Sequence, residues 1–195
     1  AVLIPGEHRF TDDEKALTQT FANQAAIALE NARLHRQAVE KERLEREMEL
    51  AADIQRQLLP TGTPWLPGFE FGGWNRPTWQ VGGDYYDVLQ HEGRVKIGIG
   101  DVTGHGLESG VVMLMAQTAI RTLIDRGETD PVTFLNTVNR VLYQNIARMQ
   151  ADKNLTLAFI RHQDREVKLI GQHEEMLVVR KDGSLERMDT MDLGF

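Results

Sequence analysis

From Thr11 to Leu59 the chain runs without a glycine or proline, and its apolar residues recur at steps of three and four. That spacing predicts one long helix. Thr11-Asp12-Asp13-Glu14 opens it: Thr11 caps, Glu14 falls three residues later as a capping box requires, and the acids suit the positive end of the helix dipole. A helix of roughly 45 residues would be about 65–70 Å long, more than a compact domain of this size needs, so it reads as a coiled coil or connecting rod. Leu17, Phe21, Ala25, Ala28 and Ala32 give the first half an alanine-rich stripe. The stretch from His35 to Glu49 is densely charged, with Glu42/Arg46 in the favourable order for i,i+4 pairing and Lys41/Glu45 and Arg43/Glu47 reversed. Leu44, Met48, Ala51 and Leu58 keep a heptad spacing, which Gln55 interrupts and Val39 does not share. A single solvated helix held by charge pairs is the alternative. So thin an apolar seam gains little alone, and a parallel dimeric coiled coil with a break in register is the expectation.

Prolines then end the helix. Pro60-Thr61-Gly62-Thr63-Pro64-Trp65-Leu66-Pro67-Gly68 reads as an extended linker and domain boundary. Beyond it the pattern turns to short β-favouring runs, Phe69–Asn75, Tyr85–Gln90 and Val95–Asp101, the last two joined by a hairpin turn at His91-Glu92-Gly93-Arg94. Leu107–Arg126 has helical spacing, with Gly127 past its end; Asp130-Pro131 starts a second helix to about Gln150, with Phe134, Leu135, Val138, Leu142 and Ile146 inward. Strands follow at Leu155–Arg161, Glu166–Ile170, Met176–Arg180 and Leu185–Met188, with a tight turn at Lys181-Asp182-Gly183. Strands, two helices, then strands describe an α+β domain with antiparallel sheet and helices on a face.

Composition narrows the classes. Hydrophobic residues at 41% and charged residues at 26% are ordinary for a folded domain. A net charge of −7 and a pI near 5.4 argue against nucleic-acid or polybasic membrane partners and suit protein partners. No run of about 18 apolar residues occurs. The absence of cysteine excludes disulfides, thiolate zinc sites and a cysteine nucleophile, and a reducing cytoplasm is the default expectation. The opening Ala1–Phe10 reads as a strand end and turn rather than a signal peptide, as if the chain began inside a larger protein.

The candidate chemistry lies in two glycine-rich strand ends, Val81-Gly82-Gly83-Asp84-Tyr85-Tyr86-Asp87 and Ile97-Gly98-Ile99-Gly100-Asp101-Val102-Thr103-Gly104-His105-Gly106. Each of Asp84 and Asp101 taken singly is a common turn aspartate. Two carboxylates brought together repel unless a cation lies between them, and hard ions such as Mg²⁺ or Mn²⁺ favour such oxygen-rich sites. Asp87 reads as a further carboxylate or a strand-surface residue. His105 and His173 are candidates to border the site, although a histidine in a glycine loop is often there for its backbone tolerance. Gly98, Gly100 and Gly104 miss the dinucleotide fingerprint, and no phosphate-cradling GK[ST] is present. No Ser-His-Asp or paired acid/base arrangement stands out.

These motifs resemble the SpoIIE/RsbU-like branch of the PPM (type 2C) serine/threonine protein phosphatases. The resemblance spans Ala51 to Phe195, through Ala52-Asp53-Ile54-Gln55-Arg56-Gln57-Leu58-Leu59-Pro60, the Asp84 segment and the Asp101 turn. Gly171-Gln172-His173-Glu174-Glu175 looks like a degraded form of the family's AGHPP-like segment. Residues Phe10–Ala32 resemble the C-terminal helix of a GAF sensor domain. The resemblance implies a GAF remnant at 1–30, a coiled-coil linker helix at 31–59, and the N-terminal part of a phosphatase domain at 60–195. It implies an antiparallel β-sandwich flanked by helices, with two Mn²⁺ or Mg²⁺ ions held by Asp84, Asp101 and the Val102 carbonyl. Asp84 and Asp101 would be the catalytic carboxylates, and a water activated by the metals would attack the phosphorus of a phosphoserine or phosphothreonine in line. The partner would be a phosphoprotein such as an anti-sigma-factor antagonist, and the linker helix would make a homodimer. Further metal aspartates of the family lie on later strands that this sequence, ending at Met191-Asp192-Leu193-Gly194-Phe195, does not reach, so the chain as given is expected to be inactive. Asp182-Gly183 reads as a hairpin turn, not a substitute. The reading from another class is a non-catalytic dimerisation and signal-transmission module.

Overall fold

The computed structural model describes residues 10–60, 62, 70–76, 80–91, 94–163 and 166–191. The expected turn before Phe10, most of the proline-rich linker, the hairpin tip Glu92-Gly93 and the last four residues lie outside them. Contacts divide the chain into two units, one up to Glu47 and one from Met48 onward.

The first unit is helical. Helix α1, Asp12–Leu58, starts as the capping box predicts. The Thr11 N–H donates to Glu14 Oε2 at 2.7 Å, and the Glu14 N–H donates to Thr11 Oγ1 at 3.3 Å. The pairs Glu42–Arg46, Lys41–Glu45 and Arg43–Glu47 all form, joined by i,i+3 pairs such as Glu30–Arg33 at 2.6 Å. All are exposed to solvent and screened by it, so they contribute little to stability. Leu17, Phe21, Ile27, Leu29, Leu34, Val39 and Leu44 are exposed as well.

The second unit is α+β. Strands β1 (Tyr85–His91), β2 (Arg94–Val102), β3 (Leu155–Gln163) and β4 (Glu166–Gln172) form one antiparallel sheet in the order β1-β2-β3-β4. Helices α2 (Leu107–Asp125) and α3 (Pro131–Met149) contribute their apolar faces to the core that covers one face of it. A separate antiparallel hairpin, β5 (Met176–Val179) and β6 (Leu185–Met188), turns at Gly183 with φ +83°. Of the sandwich expected, the described residues supply this four-stranded layer and the hairpin. Residues 70–75, expected as a strand, are irregular: Gly73 lies beside the Tyr86 ring and no strand partner is present among the described residues.

The core explains the glycine pattern of β2. Val112, Met113, Ala116 and Ile120 of α2 and Phe134, Leu135, Val138 and Leu142 of α3 pack on Tyr85, Val102, Leu157 and Phe159. Burying each large apolar side chain stabilises the fold by about 1.5–3 kcal/mol. Phe134 and Phe159 meet edge to face at 5.2 Å. A Cβ at Gly98 would lie 2.7 Å from the Phe159 ring and 2.8 Å from that of Tyr85, so glycine here makes room for the two rings. Helix α2 is long and apolar enough by composition to cross a membrane, but it is the core helix of this domain and its apolar face is packed. Helix α3 begins as predicted: Asp130 accepts from the Thr133 N–H at 2.7 Å and Pro131 takes the first turn.

The last turns of α1 pack into this second unit. Ala52 and Gln55 are buried, Leu59 reaches the core, and the Gln117 amide donates to the Leu58 carbonyl at 2.7 Å, satisfying one of the carbonyls a helix end leaves open.

Candidate metal centre

The β1–β2 ladder places the two aspartates. Tyr85 pairs with Gly100 at the end of the ladder, so Asp84 stands opposite Asp101 one step beyond it. Side chains alternate across a strand. Tyr85 and Val102 point into the helix-covered core, and Asp84 and Asp101 therefore stand together on the other face. Like charges directly opposite on adjacent strands destabilise the pair. The Asp101 carboxyl shows it: its pKa is raised first by partial burial and then by the Asp84 charge, against a lowering by His173, with a hydrogen bond to Asp84 adding a lesser rise.

Gly83 lets the strands close at this point. The Val102 N–H donates to the Gly83 carbonyl at 3.3 Å. A Cβ on Gly83 would lie 2.6 Å from the Val102 carbonyl oxygen and 3.3 Å from Asp101 Oδ1. The Val102 carbonyl and the Asp101 carboxylate thus both border one tight strand crossing at Gly83.

Other expected residues fall differently. Asp87 is neither a third carboxylate of this group nor a strand-surface residue. Three places after Asp84 it faces the helices, is 1% exposed, and binds Arg121 of α2 through Oδ2–Nε at 2.8 Å and Oδ1–Nη2 at 3.0 Å. It is a structural ion pair. His105 is exposed in the turn between Gly104 and Gly106. His173 does border the site: its Nδ1 shares a hydrogen bond of 2.8 Å with Thr156 Oγ1, which also donates to the Asp101 carbonyl at 3.4 Å. Buried Thr190 holds the His173 backbone, accepting from its N–H at 2.9 Å and donating to its carbonyl. Beside them opens a cavity of about 330 Å³ lined in part by Thr156, His173, Glu174 and Asp189.

Two positions escaped the sequence reading. Gln55, the residue that interrupts the heptad, is 4% exposed and bonds both backbone polar groups of Gly82: its Nε2 donates to the Gly82 carbonyl at 2.8 Å, and its Oε1 accepts from the Gly82 N–H at 3.0 Å. A polar residue in an apolar slot was the available signal. Thr156 carried none, since its role depends on β3 lying beside β2.

Two carboxylates and a carbonyl are oxygen donors of the kind hard divalent ions take. Among the described residues no group of three His, Cys, Asp or Glu side chains comes together as a metal site. The donor set fits such a cation in kind and is short in number.

The family profile for Stage II sporulation protein E (SpoIIE) matches residues 91–193, just over half of the chain, taking in Asp101 and Val102 but not Asp84. The phosphoserine phosphatase RsbU of Bacillus subtilis (strain 168) is 32% identical over 106 residues, which are 54% of this chain and 31% of that protein. The chain thus spans about a third of the length of this curated relative. The SiaA-PP2C domain of Pseudomonas aeruginosa superposes with a TM-score of 0.55 at 21% identity, covering 72% of this chain and 57% of that one, which shows a shared fold. The RsbU and RsbW domains of a Mycobacterium tuberculosis protein superpose at 0.46, too low to show one. With β2, β3 and β4, both helices α2 and α3 and the glycine-flanked Asp101 turn inside the matched region, the chain belongs to the SpoIIE family.

Proposed function

We propose that this chain forms part of a metal-dependent phosphoserine/phosphothreonine protein phosphatase of bacterial signalling, with the cation held at Asp84, Asp101 and the Val102 carbonyl. The observation that carries the reading is the placement of two carboxylates side by side across the β1–β2 pairing, with the pKa of Asp101 raised by partial burial and then by the Asp84 charge. The name of the Bacillus relative supports phosphoserine as the substrate group. A bound Mn²⁺ or Mg²⁺ would supply charge for the phosphoryl oxygens and lower the pKa of a coordinated water. The chain's own residues do the rest: Asp84 and Asp101 fix the cation's place, Gly83 lets the Val102 carbonyl approach it, and Thr156 and His173 brace the Asp101 strand. The proposed substrate is a phosphorylated protein such as an anti-sigma-factor antagonist, in the cytoplasm. With only these donors, cation affinity is expected to be weak and turnover by the 195-residue chain slight.

Calorimetric titration with Mn²⁺, with Asp101→Asn as control, tests the site. Binding in the wild type that is lost in the variant supports it; equal binding in both, or none in either, sinks it. Vigorous Mn²⁺-dependent release of phosphate from a phosphoserine protein by this chain would refute the expectation of slight turnover.

A second reading has its own support. The apolar side chains of α1 from Leu17 to Leu44 are exposed along a helix with charge pairs on its surface. As a GAF-to-phosphatase linker this segment would dimerise in parallel and carry a signal. Sedimentation of the full chain as a monomer at all concentrations would remove that reading and leave the metal site untouched.

A further inference from the structure

We propose that Lys153 is a positioning residue for the cation site, holding the turn after Asp101 through the carbonyl of Thr103. The inference rests on the assignment of Asp84, Asp101 and Val102 as cation ligands.

Every polar atom of Thr103 is engaged. Its N–H donates to the Asn154 carbonyl at 2.9 Å, and its Oγ1 accepts from the Asn154 N–H at 2.9 Å. Its carbonyl accepts from Ser109 Oγ at 3.1 Å and from Lys153 Nζ at 3.2 Å. Peptide planarity makes this matter for Val102. The Val102 carbonyl and the Thr103 N–H belong to one rigid trans unit and point in opposite directions. Tying the N–H to Asn154 therefore aims the carbonyl the other way, toward the strand crossing at Gly83. Lys153 and Ser109 fix the next peptide unit in the same manner, where Gly104 turns with φ +79°.

Lys153 is placed for this task at some cost. Its side chain is 13% exposed, unusual for lysine, and Glu108 Oε2 lies 4.0 Å from its Nζ. A Cβ on Gly104 would lie 2.8 Å from that nitrogen, so the ammonium sits directly beneath the turn. The segment that carries it follows α3 at once, where Gln150 adopts φ 55° and the Ala151 N–H returns to the Ile146 carbonyl at 3.3 Å. The end of α3 thus acts on the cation site through Thr103, in the way outer partners orient metal ligands.

The test is Mn²⁺ titration of the full chain, followed by paramagnetic broadening of the Gly83, Asp84 and Val102 amide signals, which reports weak binding without requiring turnover. Lys153→Met should weaken Mn²⁺ by about tenfold or more, the usual loss when an outer partner is removed, with Lys153→Arg restoring most of it. Thr103→Val, which removes the Oγ1 acceptor, should weaken it comparably. In metal-free protein the Thr103 amide should exchange faster in Lys153→Met than in wild type. Affinity within about twofold of wild type in both Lys153→Met and Thr103→Val, or equal losses in the Met and Arg variants, overturns the proposal. Absence of broadening in the wild type overturns the cation assignment itself, and amide exchange at Thr103 then decides alone whether Lys153 holds the turn.

Discussion

Replacing Gln55 by leucine removes the one side chain that bonds both polar groups of Gly82. Gln55 is 4% exposed, and leucine fills nearly the same space, so packing is retained while the Gly82 N–H and carbonyl both lose their partners. Two hydrogen bonds contribute about 1–3 kcal/mol net, and an unmet buried group costs more than the bond was worth. Gly82 is only partly buried, so water can reach it, and the expected loss is about 2–3 kcal/mol, or a Tm lower by roughly 4–12 °C for a chain of this size. Scanning calorimetry reads the Tm, and amide exchange reads Gly82 directly. Gln55→Glu sharpens the test. Its carboxylate keeps an acceptor for the Gly82 N–H but sets a second oxygen against the Gly82 carbonyl. The variant should be less stable than Gln55→Leu at neutral pH and recover as pH falls through the raised folded pKa of the glutamate, the recovery being complete below its unfolded value of about 4.3. A Gln55→Leu protein with unchanged Tm and wild-type exchange at Gly82 would show that this pair does not hold the end of α1 to the strand leading to Asp84.

Gly83→Ala should cost about 1–3 kcal/mol, because its Cβ would lie 2.6 Å from a backbone oxygen that cannot swing aside; an unchanged urea midpoint refutes it. For Asp101, whose folded pKa is raised by burial and by Asp84, the native chain binds the proton more tightly than the unfolded one. Its stabilising contribution is then complete below the unfolded value and is lost as pH rises through the folded value, with Asp84 and His173 the groups that face it. Metal-free Asp101→Asn should therefore be more stable than wild type at pH 7, by about 0.2–1 kcal/mol, and its urea midpoint should vary less with pH; a less stable variant at pH 7 contradicts the repulsion. Arg121→Met strands the buried Asp87 carboxylate, and with Arg121 half exposed the cost should be about 2–3 kcal/mol by urea denaturation, largely recovered by adding Asp87→Asn; no recovery would mean the guanidinium stem, not its charge, matters.

What the chain discloses unaided depends on how far apart the interacting residues lie. The capping box at Thr11–Glu14, the Asp130-Pro131 helix start and the Gly183 turn are local, and each forms as its residues predict. The sequence of residues 70–75 imitates a strand, but a strand needs an edge to pair with, which no local pattern supplies. Asp87 could be read correctly as to face, since three steps from Asp84 is an odd number on a two-residue period. Its partner Arg121 lies on a helix whose position follows only from packing. Gln55 looked like a flaw in a heptad because the seam was judged against a second helix; against its own domain, the polar slot is the one that meets a bare glycine backbone. Asp84 and Asp101 are the intermediate case. They are distant in sequence, yet the pairing of His91 with Arg94 relates them, because Asp84 lies as far before His91 as Asp101 lies after Arg94. The symmetry of an antiparallel pair converts one local pairing into a long-range contact. Thr156 and Lys153 reach the same site only through further chain crossings, which is why the carboxylate pair and His173 beside it were legible and these two supports were not.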